Sequence, residues 1–231
     1  DHVILNGAKM WISNAPFSQV AVVWAKDEEG IIRGVIVERG MEGFTTPTTH
    51  GKWSLRASAT GELVFDNVKV PKENRIGADG FGFTFAMKTL AGGRIGIASQ
   101  ALGIAAGAYE LALAYSKQRK AFGKEIMHHQ AIQFKLADMA TEIEAARLLC
   151  LKAAWLKDKH ENYDRASSMA KLFASEVAMR TTVEAVQIHG GYGYTKDFPV
   201  EKYYRDAKLC TIGEGTSEIQ KLVISREVLH N

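Results

Sequence analysis

The sequence predicts an α+β protein in which a small antiparallel β barrel or sandwich is followed by an antiparallel four-helix bundle. Residues 1 to about 75 alternate apolar with polar positions and favour β-branched and aromatic side chains. From about residue 80 the apolar positions recur with the 3.6-residue period of a helix. We therefore predict two domains, residues 1–80 and 81–231, joined near residues 76–82.

The β half contains four segments with strand character, separated by turn signals such as "NG", "DEEG" and "RGMEG". These segments are "HVILNGAKMWIS" (2–13), "QVAVVWAKD" (19–27), "IIRGVIVER" (31–39) and "ELVFDNVKVP" (62–71). Pro71 is expected to end the last strand, because proline cannot donate a hydrogen bond to a sheet.

The helical half begins with one long apolar segment rich in Gly and Ala, residues 81–120. Small residues allow neighbouring helices to approach closely, although each Gly costs roughly 1 kcal/mol of helix propensity. Two long helices are predicted over 129–159 and 165–189, and two short ones near 200–211 and 218–229. The connections are short, so the long helices are expected to pack antiparallel.

Composition excludes several classes of protein. The 231 residues are 46% hydrophobic and 24% charged, which is ordinary for a globular chain. A net charge of +3 is too small to indicate binding to nucleic acid or to an anionic membrane. Cys150 and Cys210 have no CxxC partner and are expected to be reduced core thiols. No apolar run is expected to reach membrane-spanning length. The opening "DHVILNG" resembles the middle of a strand, so we expect the natural N-terminus upstream.

Motifs for several kinds of catalysis are missing from the sequence. His128 and His129 are adjacent, so on a helix they would point in different directions, and there is no HExxH or His/Cys cluster to predict a metal site. There is no GxSxG motif for a nucleophilic serine. The glycines of "GGYGY" (190–194) follow a helix rather than a strand, which argues against a Rossmann site.

Three stretches could hold a flat, phosphorylated ligand, and each has an ordinary structural alternative. "QIHGGYGY" (187–194) offers glycine backbone for a pyrophosphate or adenine, or is simply a helix C-cap and turn. In "KQRKAFGKE" (117–125), Arg119 and Phe122 could bind phosphate and stack on a ring, or form a solvated basic helix end. Trp11 and Ser13, two residues apart on a predicted strand, could face one ring from the same side. The alternative for Trp11 is a place in the core.

The stretch "CTIGEGTSEIQ" (210–220) places a single carboxylate, Glu214, between two glycines ahead of a helix. Ser217 and Gln220 match a capping box, so a helix is predicted to begin near Glu218. Gly213 and Gly215 leave the turn permissive in φ and bare of side chains, so another molecule could approach it closely. The alternative is an ordinary loop with a solvated glutamate.

Together these stretches resemble the acyl-CoA dehydrogenase family along essentially the whole chain. The matching segments occur in the family's order: "NGAKMWISN", "LRASATGELVFDNVKVP", "GGRIGIASQALGIA", "RKAFGK", "HHQAIQFKLADM", "QIHGGYGYTKDFPVEKYYRDAK" and "EGTSEIQ". The resemblance covers the family's middle β domain and C-terminal four-helix domain. The N-terminal helical domain, with its "TEPxxGSD"-type loop, is expected upstream of residue 1.

The resemblance implies an FAD-dependent oxidoreductase of fatty acid metabolism. It converts an acyl-CoA to the trans-2-enoyl-CoA, with Glu214 removing the α-proton and the β-hydrogen leaving as hydride to flavin N5. Burial beneath flavin and acyl chain is expected to raise the pKa of such a base. For the cofactor, the resemblance implies Trp11, Ile12 and Ser13 beside the isoalloxazine and Thr216 and Glu218 at the nucleotide part. It also implies residues that reach the FAD of a neighbouring subunit, namely Arg119, Phe122, Gln130, Gln187, Ile188, His189, Gly190 and Gly191. Those implied for the substrate are Ser58, Arg94 and Gly215, with a structural ion pair as the alternative for Arg94.

Departures from the family pattern limit what the resemblance implies about the substrate. Gly213 stands where a tyrosine often precedes the catalytic glutamate, and Ala121 replaces a frequent threonine. Residues 40–63 resemble glutaryl-CoA dehydrogenases, whereas residues 76–231 are more similar to short- or medium-chain bacterial enzymes. A short, saturated acyl-CoA is favoured, with glutaryl-CoA second and a truncated, non-catalytic module as a further alternative.

The family also implies the chain's partners and location. The expected electron acceptor is an electron-transferring flavoprotein, although an oxidase relative would share every motif. A homotetramer is expected, in the cytoplasm of a bacterium or the mitochondrial matrix of a eukaryote, with no nucleic acid or membrane as partner.

Overall fold

A computed structural model of the chain describes residues 1–78 and 81–229. The chain divides into two compact units, Asp1–Thr89 and Leu90–Asn231. The domain boundary predicted at residue 80 falls on a residue outside the described part, as do residues 230 and 231 at the predicted end of the second domain. The predicted boundaries stay predictions.

In the described part of the first unit, six antiparallel strands form two three-stranded sheets, ordered β1-β5-β4 and β2-β3-β6. The strands are β1 His2–Ser13, β2 Val20–Lys26, β3 Ile32–Glu38, β4 Phe44–Thr45, β5 Thr60–Pro71 and β6 Arg75–Ile76. The four predicted strand segments all form strands, and β5 ends at Pro71 as predicted. The two sheets are small and open, so the closed barrel among the predicted alternatives is wrong.

The core of this unit takes side chains from both sheets. Val68 and Val70 of β5 and Val37 of β3 are fully buried in one apolar cluster. Stacked rings of Phe44 and Phe65, with centroids 5.2 Å apart, hold the short strand β4 against β5. The inward-facing side chains of the two sheets therefore form a single core, on which the loops between the strands are supported.

The second unit is helical, and its described residues contain five α-helices rather than the four of the predicted bundle. Their bounds are α1 Gly82–Gln118, α2 Gln130–Asp158, α3 Asp164–His189, α4 Val200–Cys210 and α5 Ser217–Leu229. Residues 82–89, at the start of α1, belong to the first unit, and the rest of α1 belongs to the second. A small hairpin, formed by β7 Lys120–Ala121 and β8 Lys124–Glu125, lies between α1 and α2 in the chain.

Alanines along one face of α1 are fully buried with a spacing of three and four residues. These are Ala98, Ala101, Ala105, Ala108 and Ala112. Residues at that spacing lie on one side of a helix, and their small side chains allow close packing against other helices. Cys150 of α2 and Cys210 of α4 are buried free thiols in the same helical core, as predicted.

Helix α1 is long and apolar enough to cross a membrane by length and composition, alone among the described helices. The expectation that no apolar run approaches that length is therefore wrong for α1. The sequence reading missed it because Gly and Ala dominate the segment in place of large apolar residues. Core helices of other proteins satisfy the same criteria, so this single helix is weak evidence of a membrane span.

Candidate active site and cofactor cavity

The turn between α4 and α5 has an unusual backbone at Glu214 and Gly215. Glu214 has φ of 55° and Gly215 has φ of 92°, so two consecutive residues lie in the left-handed region. A non-glycine residue in this region costs about 1–2 kcal/mol and usually needs support from its surroundings. Glu214 therefore adopts the strained conformation itself, and of its two glycine neighbours only Gly215 shares it.

The carboxylate of Glu214 lies against the backbone of α1. A methyl group placed on Gly93 would come within 2.6 Å of Glu214 Oε2, so a side chain at position 93 would displace the carboxylate. Arg94, next along the helix, is buried, and its guanidinium donates to Ser168 Oγ at 3.3 Å. Glu214 is itself exposed, so its predicted burial would have to come from bound molecules.

Helix α5 begins one residue earlier than predicted and uses a different cap. The helix starts at Ser217, and the Ile219 N–H donates to Thr216 Oγ1 at 3.4 Å. Gln220 does not complete the predicted capping box, because its side chain is buried and turned towards the preceding turn. The exposed carboxylate of Glu218 has its pKa lowered, first by its own backbone N–H and then by the Thr216 hydroxyl.

Trp11 and Ser13 lie where β1 departs from regular pairing with β5. The register shifts between Lys9 and Ile12, and Trp11 has φ of 63°. A bulge interrupts the alternation from which a shared side was predicted for Trp11 and Ser13, so their facing one ring stays a prediction. Trp11 is 69% exposed, which excludes the core alternative, while Ile12 packs against the sheet core and Ser13 is exposed.

Ser58 lies in a loop beside the end of β1. The Asn14 N–H donates to the carbonyl of Ala59 at 2.9 Å, which ties the Ser58 loop to the strand that carries Trp11 and Ser13. The loop is also held by Lys52, whose ammonium donates to the carbonyls of Leu55 and Ser58. Ser58 itself is exposed. The structure thus brings four predicted residues of the first unit into one area.

A cavity of about 490 Å³ in the second unit collects several of the predicted cofactor residues. Arg119, Ile188, His189, Gly190 and Gly191 line it. Gly190, with φ of 60°, and Gly191 are exposed, and a methyl group on either would meet no atom within 4 Å. Both glycines therefore leave open backbone facing a space that an incoming group could enter.

Aromatic rings form one wall of this cavity. The rings of Tyr115 and His189 stack with centroids 4.2 Å apart, and Arg119 Cζ lies 5.9 Å from the centroid of Tyr192. Burial lowers the pKa of His189, while the Nδ1 contact of 2.7 Å with the Ala185 carbonyl acts in the opposite direction. His189 is therefore a neutral flat ring at pH 7, and Arg119 is the cation at the cavity.

The other residues predicted to bind the cofactor lie at the surface of the second unit. Phe122 has φ of 52° and is 97% exposed at the tip of the β7–β8 hairpin. Its ring meets His129 edge-on at 6.1 Å, just before exposed Gln130 opens α2. Gln187 is exposed in the last turn of α3. A fully exposed ring in a strained conformation is costly unless something covers it, so Phe122 suits contact with a further molecule.

These residues fit a dinucleotide cofactor with an aromatic ring system. The cavity offers an arginine for phosphate, open glycine backbone and stacking rings, which are the groups that recognise a nucleotide. The N-terminus of the 13-residue helix α5 offers the Thr216 hydroxyl and the Glu218 carboxylate as hydrogen-bonding groups. Within the described residues, no group of three or more His, Cys, Asp and Glu side chains could hold a metal ion.

Sequence reasoning missed three residues that shape the site. Gly93 receives the Glu214 carboxylate, Lys171 is buried beneath the turn, and Lys52 holds the Ser58 loop. Lys171 did leave a signal, since it is the one cation within "ASSMAKLFASEVA" (166–178), a stretch rich in small residues. Nothing in the pattern around Lys52 indicated its contacts.

Comparisons with known proteins match both halves of the chain to one family. The model of the acyl-CoA dehydrogenase middle domain matches residues 1–68, and that of the acyl-CoA dehydrogenase C-terminal domain matches residues 80–229. The short-chain specific acyl-CoA dehydrogenase of Clostridium acetobutylicum is 50% identical over 233 residues, covering 99% of this chain and 61% of that protein.

Solved structures agree with the sequence matches. Butyryl-CoA dehydrogenase from Megasphaera elsdenii superposes with a TM-score of 0.94 at 48% identity, covering 98% of this chain and 60% of that one. A chain from a structure of the electron transferring flavoprotein of Acidaminococcus fermentans gives 0.96 at 49% identity, covering 100% and 62%. The chain thus spans about three fifths of the length of the relatives that it matches.

Proposed function

We propose a function on the basis that the chain belongs to the acyl-CoA dehydrogenase family. In this proposal the chain carries the catalytic base and residues that contact the cofactor. Its reaction is the FAD-dependent α,β-dehydrogenation of a short-chain acyl-CoA to the trans-2-enoyl-CoA. The observation that carries the proposal is the carboxylate of Glu214, which a left-handed turn presents to solvent against the bare backbone at Gly93.

Glu214 acts as the general base. Its exposed carboxylate, lying against the backbone of Gly93, takes the α-proton of the thioester. Arg94, buried next to this position, contributes positive charge that favours the developing negative charge of the deprotonated thioester. Ser58 and Gly215 are assigned to the substrate as well.

Bound FAD supplies the acceptor for the two electrons that leave the substrate. Arg119, Phe122, Gln130 and the 187–191 segment would reach the FAD of a neighbouring subunit in the proposed tetramer. Arg119 and the Gly190–Gly191 backbone would hold its phosphates. Thr216 and Glu218 offer hydrogen-bonding groups at the N-terminus of α5. Trp11 and Ser13, with Ile12 behind them, would contact the flat ring system, since Trp11 is exposed and fixed by the bulge.

Short-chain substrates are favoured over glutaryl-CoA. The short-chain specific dehydrogenase and butyryl-CoA dehydrogenase are 50% and 48% identical to this chain, whereas glutaryl-CoA dehydrogenases of known structure that match 99–100% of it are 34–38% identical. The glutaryl-CoA alternative depends on residues 40–63. The proposed acceptor is an electron-transferring flavoprotein, and the proposed assembly is a homotetramer formed through the helical domain, residues 81–231. Residues 1–80 serve the flavin and substrate side, and the proposed location is bacterial cytoplasm or mitochondrial matrix.

The proposal is tested by replacing Glu214 with Gln in protein reconstituted with FAD. Wild type should be yellow, and butyryl-CoA should bleach it without oxygen. Glu214→Gln should bind the thioester, yet its bleaching rate should fall by about 10³-fold, within the range for loss of a general base. Glu144→Gln is the matched control, because Glu144 is an exposed α2 residue that pairs with Arg147.

Three results would contradict parts of the proposal. Bleaching by Glu214→Gln at the wild-type rate would remove Glu214 as the base. A colourless chain that takes up no FAD would favour the non-catalytic module. Release of peroxide under air during turnover would identify an oxidase rather than a dehydrogenase.

A further inference from the structure

The Glu214–Gly215 turn is held from beneath by two buried side chains. Lys171 of α3 and Gln220 of α5 are both 0% exposed. Lys171 Nζ donates to the Gly215 carbonyl at 2.6 Å, and Gln220 Nε2 donates to the carbonyls of Glu214 at 3.1 Å and Gly215 at 3.0 Å. The carbonyls of the two left-handed residues therefore accept three hydrogen bonds from buried side chains.

A fully buried lysine is rare, and it persists where its ammonium has a partner. The contact of 2.6 Å is short, as expected for a charged donor. Burial is the largest cause that lowers the pKa of Lys171, and Arg94 acts in the same direction. Cys210, Glu214 and Glu218 act in the opposite direction. Keeping the Lys171 ammonium beneath the turn therefore costs desolvation free energy, which its contact with the Gly215 carbonyl offsets in part.

Gln220 is oriented by its amide nitrogen. Its Nε2 makes both contacts to the turn, whereas its Oε1 is buried and meets no donor in the described part of the chain. Gly215 also depends on this arrangement, since a methyl group there would come within 2.8 Å of Gln220 Nε2. The side chain therefore fits the turn closely, at the cost of one unsatisfied acceptor.

We propose that Lys171 is a positioning residue that, with Gln220, clamps the two left-handed residues so that the Glu214 carboxylate stays over Gly93. The inference rests on the proposed role of Glu214 as base. Without the clamp the turn relaxes towards ordinary backbone conformations, and the carboxylate leaves the position from which it reaches the α-carbon. Displacing a catalytic group by about 1 Å can cost about 10²-fold in rate.

The test compares Lys171→Met and Gln220→Met with wild type, all reconstituted with FAD. Methionine retains the apolar length of each side chain and removes its donors. Thr182→Val is the matched control, because Thr182 is as buried on α3 but donates only to the Ala178 and Met179 carbonyls of its own helix. Three quantities are measured: the bleaching rate with butyryl-CoA, the isotope effect of α-deuterated butyryl-CoA, and amide hydrogen exchange of residues 213–218 without substrate.

The clamp predicts that Lys171→Met and Gln220→Met bind FAD, bleach about 10²-fold more slowly and show a larger α-deuterium isotope effect. Their amides at 213–218 should exchange at least about tenfold faster, because the turn opens more often. Thr182→Val should match wild type in all three quantities. The exchange measurement needs no turnover, so it tests the clamp separately from the chemistry.

Wild-type rate, isotope effect and amide exchange in both methionine variants would overturn the clamp and leave the role of Glu214 intact. Failure of both variants to yield folded protein that binds FAD would also overturn it, since the two residues would then be general core elements. If wild type itself did not bleach, the proposed function would fail. In that case, faster amide exchange in the two methionine variants would still show that Lys171 and Gln220 restrain the turn, but not that this restraint serves catalysis.

Discussion

Two loops of this protein are held by the same device, a lysine ammonium that donates to backbone carbonyls, but in different surroundings. In the first unit, half-buried Lys52 donates to the carbonyls of Leu55 and Ser58 and to Thr60 Oγ1. In the second unit, fully buried Lys171 donates to the carbonyl of Gly215. Each loop contains a non-glycine residue in the left-handed region, Leu55 with φ of 47° and Glu214 with φ of 55°.

The difference shows that burial, rather than the number of hydrogen bonds, decides how much such a lysine matters. Around Lys52, water can replace a lost ammonium contact, so a net hydrogen bond there is worth roughly 1 kcal/mol. Beneath the Glu214 turn the donating side chains are fully buried, so water does not replace a lost donor there, and a buried group left unsatisfied costs about 1–3 kcal/mol. We therefore expect buried Lys171, which supports the turn of the proposed base, to matter more for stability than half-buried Lys52.

Substitution of Gly215 should break the buried turn most severely. In Gly215→Ala, the left-handed φ and the displaced Gln220 contacts together should lower the free energy of unfolding by about 3 kcal/mol. Bleaching by butyryl-CoA should be lost with it. Gly213→Ala is the matched control, because a methyl group there meets only the Leu209 carbonyl at 3.6 Å. Urea unfolding measures both variants, and equal losses would contradict the assignment of the strain to Gly215.

Alkaline pH should weaken the buried region through Cys210, whose thiol lies near Lys171. Burial raises the pKa of Cys210 from 9.0 to about 11, with Lys171 acting in the opposite direction and Asp206 in the same one. A raised thiol pKa stabilises the fold below pH 9, and this contribution is lost as the pH rises from about 9 to about 11. A shift of this size corresponds to about 2–3 kcal/mol.

The measurement is the unfolding free energy of wild type minus that of Cys210→Ala, followed from pH 8 upwards. The difference should stay constant below pH 9 and then fall by about 2–3 kcal/mol towards pH 11, because only wild type loses the thiol contribution. A difference that stays flat over the whole range would show that the thiol is solvated in the folded protein.

Lys52→Met should have the smallest effect. Because water can reach the loop carbonyls, the free energy of unfolding should fall by no more than about 1 kcal/mol. Amide exchange over residues 55–60 should nevertheless increase, since the loop is less restrained. Lys26→Met, which changes an exposed lysine of β2, is the control. A loss as large as that of Lys171→Met would remove the distinction between the two loops.

Sequence patterns anticipated the regular elements well. The helix predicted over 129–159 is observed as Gln130–Asp158, and the one over 165–189 as Asp164–His189. Helical periodicity is a local property of consecutive residues, so it survives whatever the helix packs against. The fifth helix was also visible in the pattern, since five helical segments were predicted even though the named bundle had four.

The irregular features were less accessible to sequence reasoning. Sequence reasoning did not predict the bulge at Trp11, and Thr216 rather than Ser217 caps α5. Both depend on how a strand or helix meets its neighbours in space. The roles assigned to the candidate site residues stay predictions for the experiments above.

By itself, the sequence determined the order and type of the elements, the two halves and the family, because periodicity and motif order are written in neighbouring residues. Only the tertiary structure decided that Glu214 is the strained residue of its turn, that its carboxylate lies over Gly93, and that Lys171 is buried beneath it. Lys171 and Gly215 are 44 residues apart in the chain. Contacts across such a separation arise from helix packing and from the cost of burying a charge, which no local pattern records.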